Sequence, residues 1–529
     1  MASLGEVGGQ TVDKMGLSET KNRPKKFYFG VFFDGTGNNM IQRGVAEAFR
    51  NSQVQKSARP AGSAAIGAGT VEIITTPDNK SDWDLELNTN LNKYGANSLK
   101  DTTMNENGDY SNVAILHSVY QGISPEKLKE EEVKYDVYRY NIYVEGPGTT
   151  ATNETNVQGS VFGTGSTGVA SLVCKAVKMV RSRIKAFDLS QAEIHFHVFG
   201  FSRGAAAARL FSYLVGRSAS EKLPCEKEFR AGEFLHFLDD FPLKNEKKTV
   251  DFLGIYDTVS SIGSLSIDSY RNNVTDYGLY SPNESQVKHT FHLCALDEFR
   301  DHFAVTDIGS AADMNGNAEI FIPGCHTDVG GGYITGWNKF QLSYPTLMYI
   351  GNPQNTNGVT IVLDITGNAL SVLGWFDRTN SDNSLDGKMT SKIECRRLVY
   401  GGYSNIPLKM MSERAIKDCQ SNVFAMNAVS QKRFNIPDSI QELGESMVSF
   451  ATSVSGRKFY FPNGTYLYKK LRNNYIHFSA TDELLNTDEY KQTKIAMGPS
   501  RNKKNELSRI VYTGNKGNNR PHYLCDYNL

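Results

Sequence analysis

The sequence is poor in three things: cysteine, an imbalance of charge, and long apolar runs. Seven cysteines lie among 529 residues, an odd number, and none forms a Cys-x-x-Cys pair. That spacing excludes a disulfide framework or a cysteine-based zinc module as the organising principle. Lys plus Arg and Asp plus Glu both number 57, so the formal net charge is zero. Chains that bind polyanions carry a basic excess, so no nucleic acid is expected as a partner. No apolar run reaches the roughly 18 residues of a membrane-spanning helix. The first twenty residues also lack the apolar core of a secretory signal. The expectation is a chain made in the cytoplasm without a signal peptide.

What is present points to an α/β fold. Hydrophobic residues make up 39% and charged residues 22%, enough to build a substantial core. A polar, Gly/Ser/Thr-rich stretch predicts a flexible N-terminal arm over residues 1–24. Lys25–Phe33 is rich in aromatic and β-branched residues and runs into the turn cluster DGTGNN, which predicts a strand. Residues 41–110 read as an insertion. Further strands are expected at Tyr140–Val144, Glu193–Phe199, Val250–Tyr256 and Glu319–Ile322. Val169, Leu172, Val173, Ala176, Val177 and Val180 recur at helical spacing, and an Ala/Leu-rich helix is expected from Arg203 to Gly216. Strands alternating with helices predict a mostly parallel sheet flanked by helices, in a catalytic domain spanning 25–340. The remainder, 341–529, is expected to be a partly helical region serving as a lid, membrane contact or partner-binding module. There, Ser439-x-x-Glu442 reads as a capping box opening a helix to Val454, with Gly456 as terminator. Its stripe of Ile440, Leu443, Met447, Phe450 and Val454 suits a core more commonly than a lipid surface. Lys503, Lys504, Arg509 and Lys516 read as a solvated basic tail.

Gly200-Phe201-Ser202-Arg203-Gly204 matches G-x-S-x-G, between an apolar strand and an Ala-rich helix. That is the strand–turn–helix setting of a nucleophile elbow, which exposes a serine hydroxyl and aims the next N–H at a developing oxyanion. A serine needs a base, and the base an orienting acid. Asp257 ends the strand FLGIYD. His326 follows another strand and precedes Gly330-Gly331-Gly332. Asp328 is the rival acid, two residues from His326, and His289, His292 and His302 are rival bases. Asp257 is preferred because it leaves its own strand. Gly35 or Thr36, in the turn after the first strand, could give the oxyanion a second backbone N–H beside that of Arg203. Gly163-x-Gly165-x-x-Gly168 matches a dinucleotide fingerprint but lacks an adjoining strand, so close helix packing is its expected purpose.

Five segments then occur in one order: FFDGTGNN (32–39), SNVAIL (111–116), HVFGFSRGAAAAR (197–209), FLGIYDTVSSIG (252–263) and IPGCHTDVGGGY (322–333). Together they resemble the α/β-hydrolase domain of bacterial type VI secretion lipase effectors of the GxSxG class. The likeness continues faintly in RRLVYGGYSNIPLKMM (396–411) and LRNNYIHFSA (471–480). The resemblance implies Ser202 as nucleophile, Asp257 as acid and His326 as base, with no cofactor or metal. It implies phospholipase A activity on acyl esters of membrane phospholipids. It further implies loading on a secretion spike protein, action in the periplasm of a target cell, and a cognate immunity protein. The alternatives are an esterase acting on a soluble substrate and a catalytically silent binding protein of the same fold.

Overall fold

Alternation along Lys25–Phe33 (β1) sorts its side chains onto two faces of a sheet. Phe27, Phe29, Val31 and Phe33 join one hydrophobic cluster, and Phe32 joins another. A computed structural model describes residues 23–38, 110–149, 164–215, 247–263, 273–280, 286–333, 336–343, 392–425, 434–461, 466–480, 507–516 and 521–525, together with residues 282, 375 and 500. The expected arm and insertion fall almost wholly outside these residues.

In chain order, β1 is followed by helices α1 (Asn112–Val119) and α2 (Pro125–Glu132), strand β2 (Asp136–Val144) and helix α3 (Val169–Ile184). Strand β3 (Glu193–Phe201), helix α4 (Arg203–Val215) and strand β4 (Lys247–Tyr256) come next. They lead to β5 (Thr290–Ala295), the two-residue β6 (Val305–Thr306), β7 (Ala318–Ile322) and the short helix α5 (His326–Gly330). The C-terminal part contributes β8 (Gly336–Ser343), β9 (Lys392–Val399), α6 (Asn405–Asp418) and α7 (Gln441–Ser453). It ends with β10 (Arg457–Tyr460), α8 (Tyr466–Asn474), β11 (Ser508–Tyr512) and β12 (Pro521–Cys525).

Seven strands form one sheet in the order β10-β7-β5-β4-β3-β1-β2. Every neighbouring pair is parallel. Such a sheet needs both faces covered. Helices α3 and α4 cover one face over Ile194, Phe196 and Val198, while α1, α6 and α7 cover the other over Phe199, Phe252 and Phe291. Because the strands run one way, the segments leaving β1, β3, β4 and β7 emerge at one edge, where open α/β sheets place their sites.

The expected strands are all present, β2 starting four residues early and β4 three. Two strands of the seven-stranded sheet, β5 and β10, were not foreseen. In β5 all six residues are buried, so it shows no alternation. β10 is short and partly charged, as edge strands often are. It also carries the sheet past residue 340 into the C-terminal part. The Ser439 capping box does not form. Residues Asp438–Ile440 make a 3-10 turn, α7 begins at Gln441 without a side-chain cap, and the Ser439 hydroxyl pairs with that of Tyr475. The α7 stripe packs inward through Ile440, Met447 and Val454, leaving Phe450 exposed with its ring edge-on to Phe459. Among the described residues no helix is long and apolar enough to cross a membrane.

An ion network fastens β10 to the sheet. Lys458 Nζ lies 2.5 Å from Asp307 Oδ2 and 3.2 Å from Glu319 Oε1. Glu319 Oε2 accepts from the Ile308 N–H at 2.8 Å and lies 2.8 Å from His292 Nδ1. Burial opposes the Glu319 charge, but Lys458 above all, with His292 and the Ile308 N–H, holds its carboxyl down to about 2. A depressed carboxyl stabilises the fold above its ordinary value of 4.5, and that contribution is lost as pH falls towards about 2. Lys458→Met, which removes the ammonium shared by two buried carboxylates, is expected to lower unfolding free energy by about 3–5 kcal/mol at neutral pH. Urea denaturation checks this, and a loss below about 1 kcal/mol, the worth of an exposed pair, would contradict it.

Candidate active site

Ser202 follows the last residue of β3 and immediately precedes α4. Its φ is 60°, in the left-handed region that non-glycine residues rarely enter. Backbone bonds hold it there: Ser202 N–H donates to Tyr256 O at 3.0 Å, and Ser202 O accepts from Ala205 and Val259 N–H at 3.0 and 3.2 Å. The two motif glycines explain why the turn fits. A Cβ on Gly204 would stand 2.2 Å from the Asp34 carbonyl oxygen, and one on Gly200 would stand 2.6 Å from that of Gly204. The start of α4 therefore rests directly on the backbone leaving β1.

Asp257 leaves β4 with φ 40° and is completely buried. With Ser202 it makes two of the three non-glycine residues at positive φ among those described, Gln420 being the third. Backbone strain of about 1–3 kcal/mol per residue persists only where surroundings enforce it. Here Asp257 N–H donates to Leu293 O at 2.7 Å, and its Oδ1 accepts from the Ala295 N–H at 3.0 Å. Asp257 Oδ2 lies 2.6 Å from His326 Nδ1. His326 opens α5, and its ring lies against Phe201, centroids 4.5 Å apart, and edge-on to Phe303 at 5.0 Å. A Cβ on Gly330 would meet the Phe201 ring at 2.1 Å, so a glycine there lets α5 seat on the residue before Ser202.

Burial and neighbouring charges shift both members of this pair. Burial opposes the Asp257 charge, but the Arg509 guanidinium, His326 and the Ala295 N–H together hold the carboxyl well below the usual range. Burial lowers the His326 pKa below its ordinary 6.5, with Asp257 pulling the other way and Arg300 adding to the lowering.

Of the rival residues, none is joined to this pair. Asp328 turns to His477, with Oδ1 at 2.7 Å from His477 Nδ1, and Oδ2 accepts the N–H groups of His477 and Cys325. His292 is bound to Glu319. His302 lies in a 3-10 turn and its carbonyl accepts from Ser261. His289 Nδ1 is buried without a hydrogen-bond partner among the described residues.

The turn after β1 is corrected in one respect. Gly35 N–H donates to Asp34 Oδ1 at 2.7 Å, while Asp34 Oδ2 accepts from the Tyr143 hydroxyl at 2.6 Å. Gly35 is thereby already engaged. Thr36 keeps its N–H unbonded among the described residues, and its hydroxyl accepts from Arg203 Nε at 2.9 Å. The Arg203 N–H belongs to the first turn of α4, whose donors have no intrahelical acceptor.

The larger correction concerns Arg509, expected in a solvated tail. It is 0% exposed on β11, with Nη2 2.6 Å from Asp257 Oδ1, Nε 3.1 Å from Ala295 O, and Nη1 on Phe303 O. A basic tail composition hides this, because the partner lies 252 residues away. Glu298, Arg300 and His477 were also missed. Glu298 Oε2 accepts from the His326 N–H at 3.2 Å and pairs with Arg300 at 2.7 Å. His292, Cys294 and Glu319 have donor atoms within 4.8 Å of one another, as metal ligands would. The Lys458 ammonium beside Glu319 occupies the electrostatic role of a cation there, so the cluster reads as an ion pair network rather than a metal centre. Gly165, at φ 78°, and Gly168 lie in and after a short 3-10 turn leading into α3.

Residues 220–352, about a quarter of the chain, match the family described as "T6SS, Phospholipase effector Tle1-like, catalytic domain". The matched span contains Asp257 and His326 and begins after Ser202. No curated protein matches the chain. Among solved structures, it is similar to the Tle1 effector bound to the VgrG spike from the type 6 secretion system, at 18% identity and a TM-score of 0.49, covering 87% of this chain and 85% of that one. It is also similar to an uncharacterized protein from Pseudomonas aeruginosa, at 14% identity and a TM-score of 0.34, covering 81% of this chain and 51% of the other. Over residues 220–352 the chain is thus similar to the catalytic domain of the Tle1-like phospholipase effectors of type VI secretion, in keeping with the resemblance its five motifs carry.

Proposed function

We propose that this protein is a serine hydrolase that cleaves acyl esters of membrane phospholipids, as a phospholipase A, and is delivered into rival bacteria by type VI secretion. The observation that supports the reading most is the 2.6 Å contact between His326 Nδ1 and Asp257 Oδ2, made where His326 packs on Phe201, the neighbour of Ser202. With Nδ1 tied to the carboxylate, Nε2 is the nitrogen left to take a proton from the Ser202 hydroxyl. Ser202 Oγ attacks the ester carbonyl, and the N–H groups of Arg203 and Thr36 receive the oxyanion. His326 returns the proton to the departing lysophospholipid oxygen. Water activated by the same imidazole then attacks the acyl-enzyme, releasing a fatty acid and restoring Ser202. No further group is needed for either step. A secretion spike protein as carrier, a cognate immunity protein and the target-cell periplasm as site of action belong to the same proposal.

Ser202→Ala is expected to cut fatty acid release from phospholipid vesicles by about 10⁴–10⁶-fold without changing Tm, since a single hydroxyl contributes little packing. Directed to the periplasm of a susceptible cell, the wild type should arrest growth and the variant should not. Equal toxicity would refute the lipase reading. His326 must be neutral to act, and its pKa lies below 6.5. The acid limb of kcat/KM should therefore be centred below pH 6.5, with activity rising through it as pH increases. A limb centred above about 7 would mean another base.

A further inference from the structure

We propose that Arg509 is a positioning residue of the acyl-transfer site, and that the C-terminal segments bearing Arg509, His477 and Ser479 complete that site. This rests on the serine hydrolase reading above. A carboxylate has two oxygens and can rotate between partners. Asp257 Oδ1 is taken by Arg509 Nη2 and the Ala295 N–H, which leaves Oδ2 alone to face His326. Arg509 is held in turn, because its other nitrogens reach the carbonyls of Ala295 and Phe303. One rigid guanidinium thus spans the acid, the end of β5 and the loop after it. A lysine keeps the charge but cannot present that planar fork.

The base is supported from the same part of the chain. His477 meets Asp328 with both its ring and its N–H, and Asp328 also receives the N–H of Cys325, at the start of α5. Ser479 Oγ donates at 2.9 Å to Glu298 Oε2, the atom that accepts the His326 N–H. Acid and base come from β4 and the start of α5, but each is fixed by side chains between residues 477 and 509. Nothing among the described residues makes these contacts redundant for Asp257, whose only other fixed donors are His326 and one backbone N–H.

Charge gives the proposal its test. His326 is faced by Asp257, Glu298 and Arg300, and Asp257 by His326 and Arg509. The neighbouring thiols Cys294 and Cys325 are driven up by burial and stay neutral. Removing the guanidinium leaves Asp257 uncompensated, so His326 holds its proton to higher pH. The experiment compares full-length wild type, Arg509→Met and Arg509→Lys, with Ser202→Ala as the blank. Fluorophosphonate labelling rate is followed against pH, alongside kcat and KM on a short-chain ester and Tm. Arg509→Met should label about 10²-fold more slowly, with KM little changed and the pH midpoint raised by about one unit. Arg509→Lys should keep the midpoint and lose part of the rate. A folded Arg509→Met that labels at the wild-type rate, or more slowly with an unmoved midpoint, would overturn the proposal. If Arg509→Met does not fold, Arg509→Lys decides: lower kcat at constant KM supports it, and unchanged kcat refutes it. Failure of the wild type itself to label at Ser202 would instead remove the hydrolase reading underneath.

Discussion

The buried charge of Asp257 is the constraint around which the rest of the site is arranged. A carboxylate taken wholly out of water is tolerated only when it is paired and hydrogen-bonded. Asp257 meets that demand with a guanidinium, a backbone N–H and an imidazole. Each partner belongs to a different part of the chain, so satisfying one carboxylate draws β5, α5 and β11 together. The imidazole gains a fixed orientation in return, and the residue itself is held at a backbone angle that it would not adopt unaided.

The parallel sheet makes this convergence possible. With seven strands running one way, the chain leaves β1, β3, β4 and β7 at the same edge. Ser202 and Asp257 stand one residue beyond paired ends, since Phe201 and Tyr256 are in register. His326 comes from two strands further over, brought by the short loop that follows β7. Glycine supplies the remaining closeness: Gly204 admits the backbone after β1 beneath α4, and Gly330 admits the Phe201 ring beneath α5. The glycines of the motif are thus spacers for neighbouring backbone and side chains as much as turn formers.

What could be read in advance was local, and what could not was the pairing of distant segments. The positions of Ser202 and Asp257 directly after strands, and of His326 after a three-residue loop from Ile322, were legible because those strands show a visible apolar pattern. The strands themselves were legible wherever alternation or an apolar run met a turn. β5 escaped because TFHLCA is buried on both faces and offers no alternation, with a histidine that pairs to a buried glutamate. β10 escaped because RKFY looks like surface until Lys458 is seen reaching Asp307 and Glu319. Arg509 has the composition of a solvated tail, and only its partner reveals it as core. Ser439 and Gly35 show the opposite error. Each satisfies a local rule, yet a nearer acceptor or donor, the Tyr475 hydroxyl or the Asp34 carboxylate, claims the group first.

The central claim is that one hydroxyl, one imidazole and one carboxylate form a working chain at the sheet edge. The most direct measurement is a crystal structure of the protein inactivated by a fluorophosphonate. The account predicts phosphorus on Ser202 Oγ, His326 Nε2 within hydrogen-bonding reach of the adduct, Nδ1 still on Asp257, and the Arg203 and Thr36 N–H groups on the phosphoryl oxygen. An adduct on another residue, or one on Ser202 with His326 turned away from it, would contradict the account.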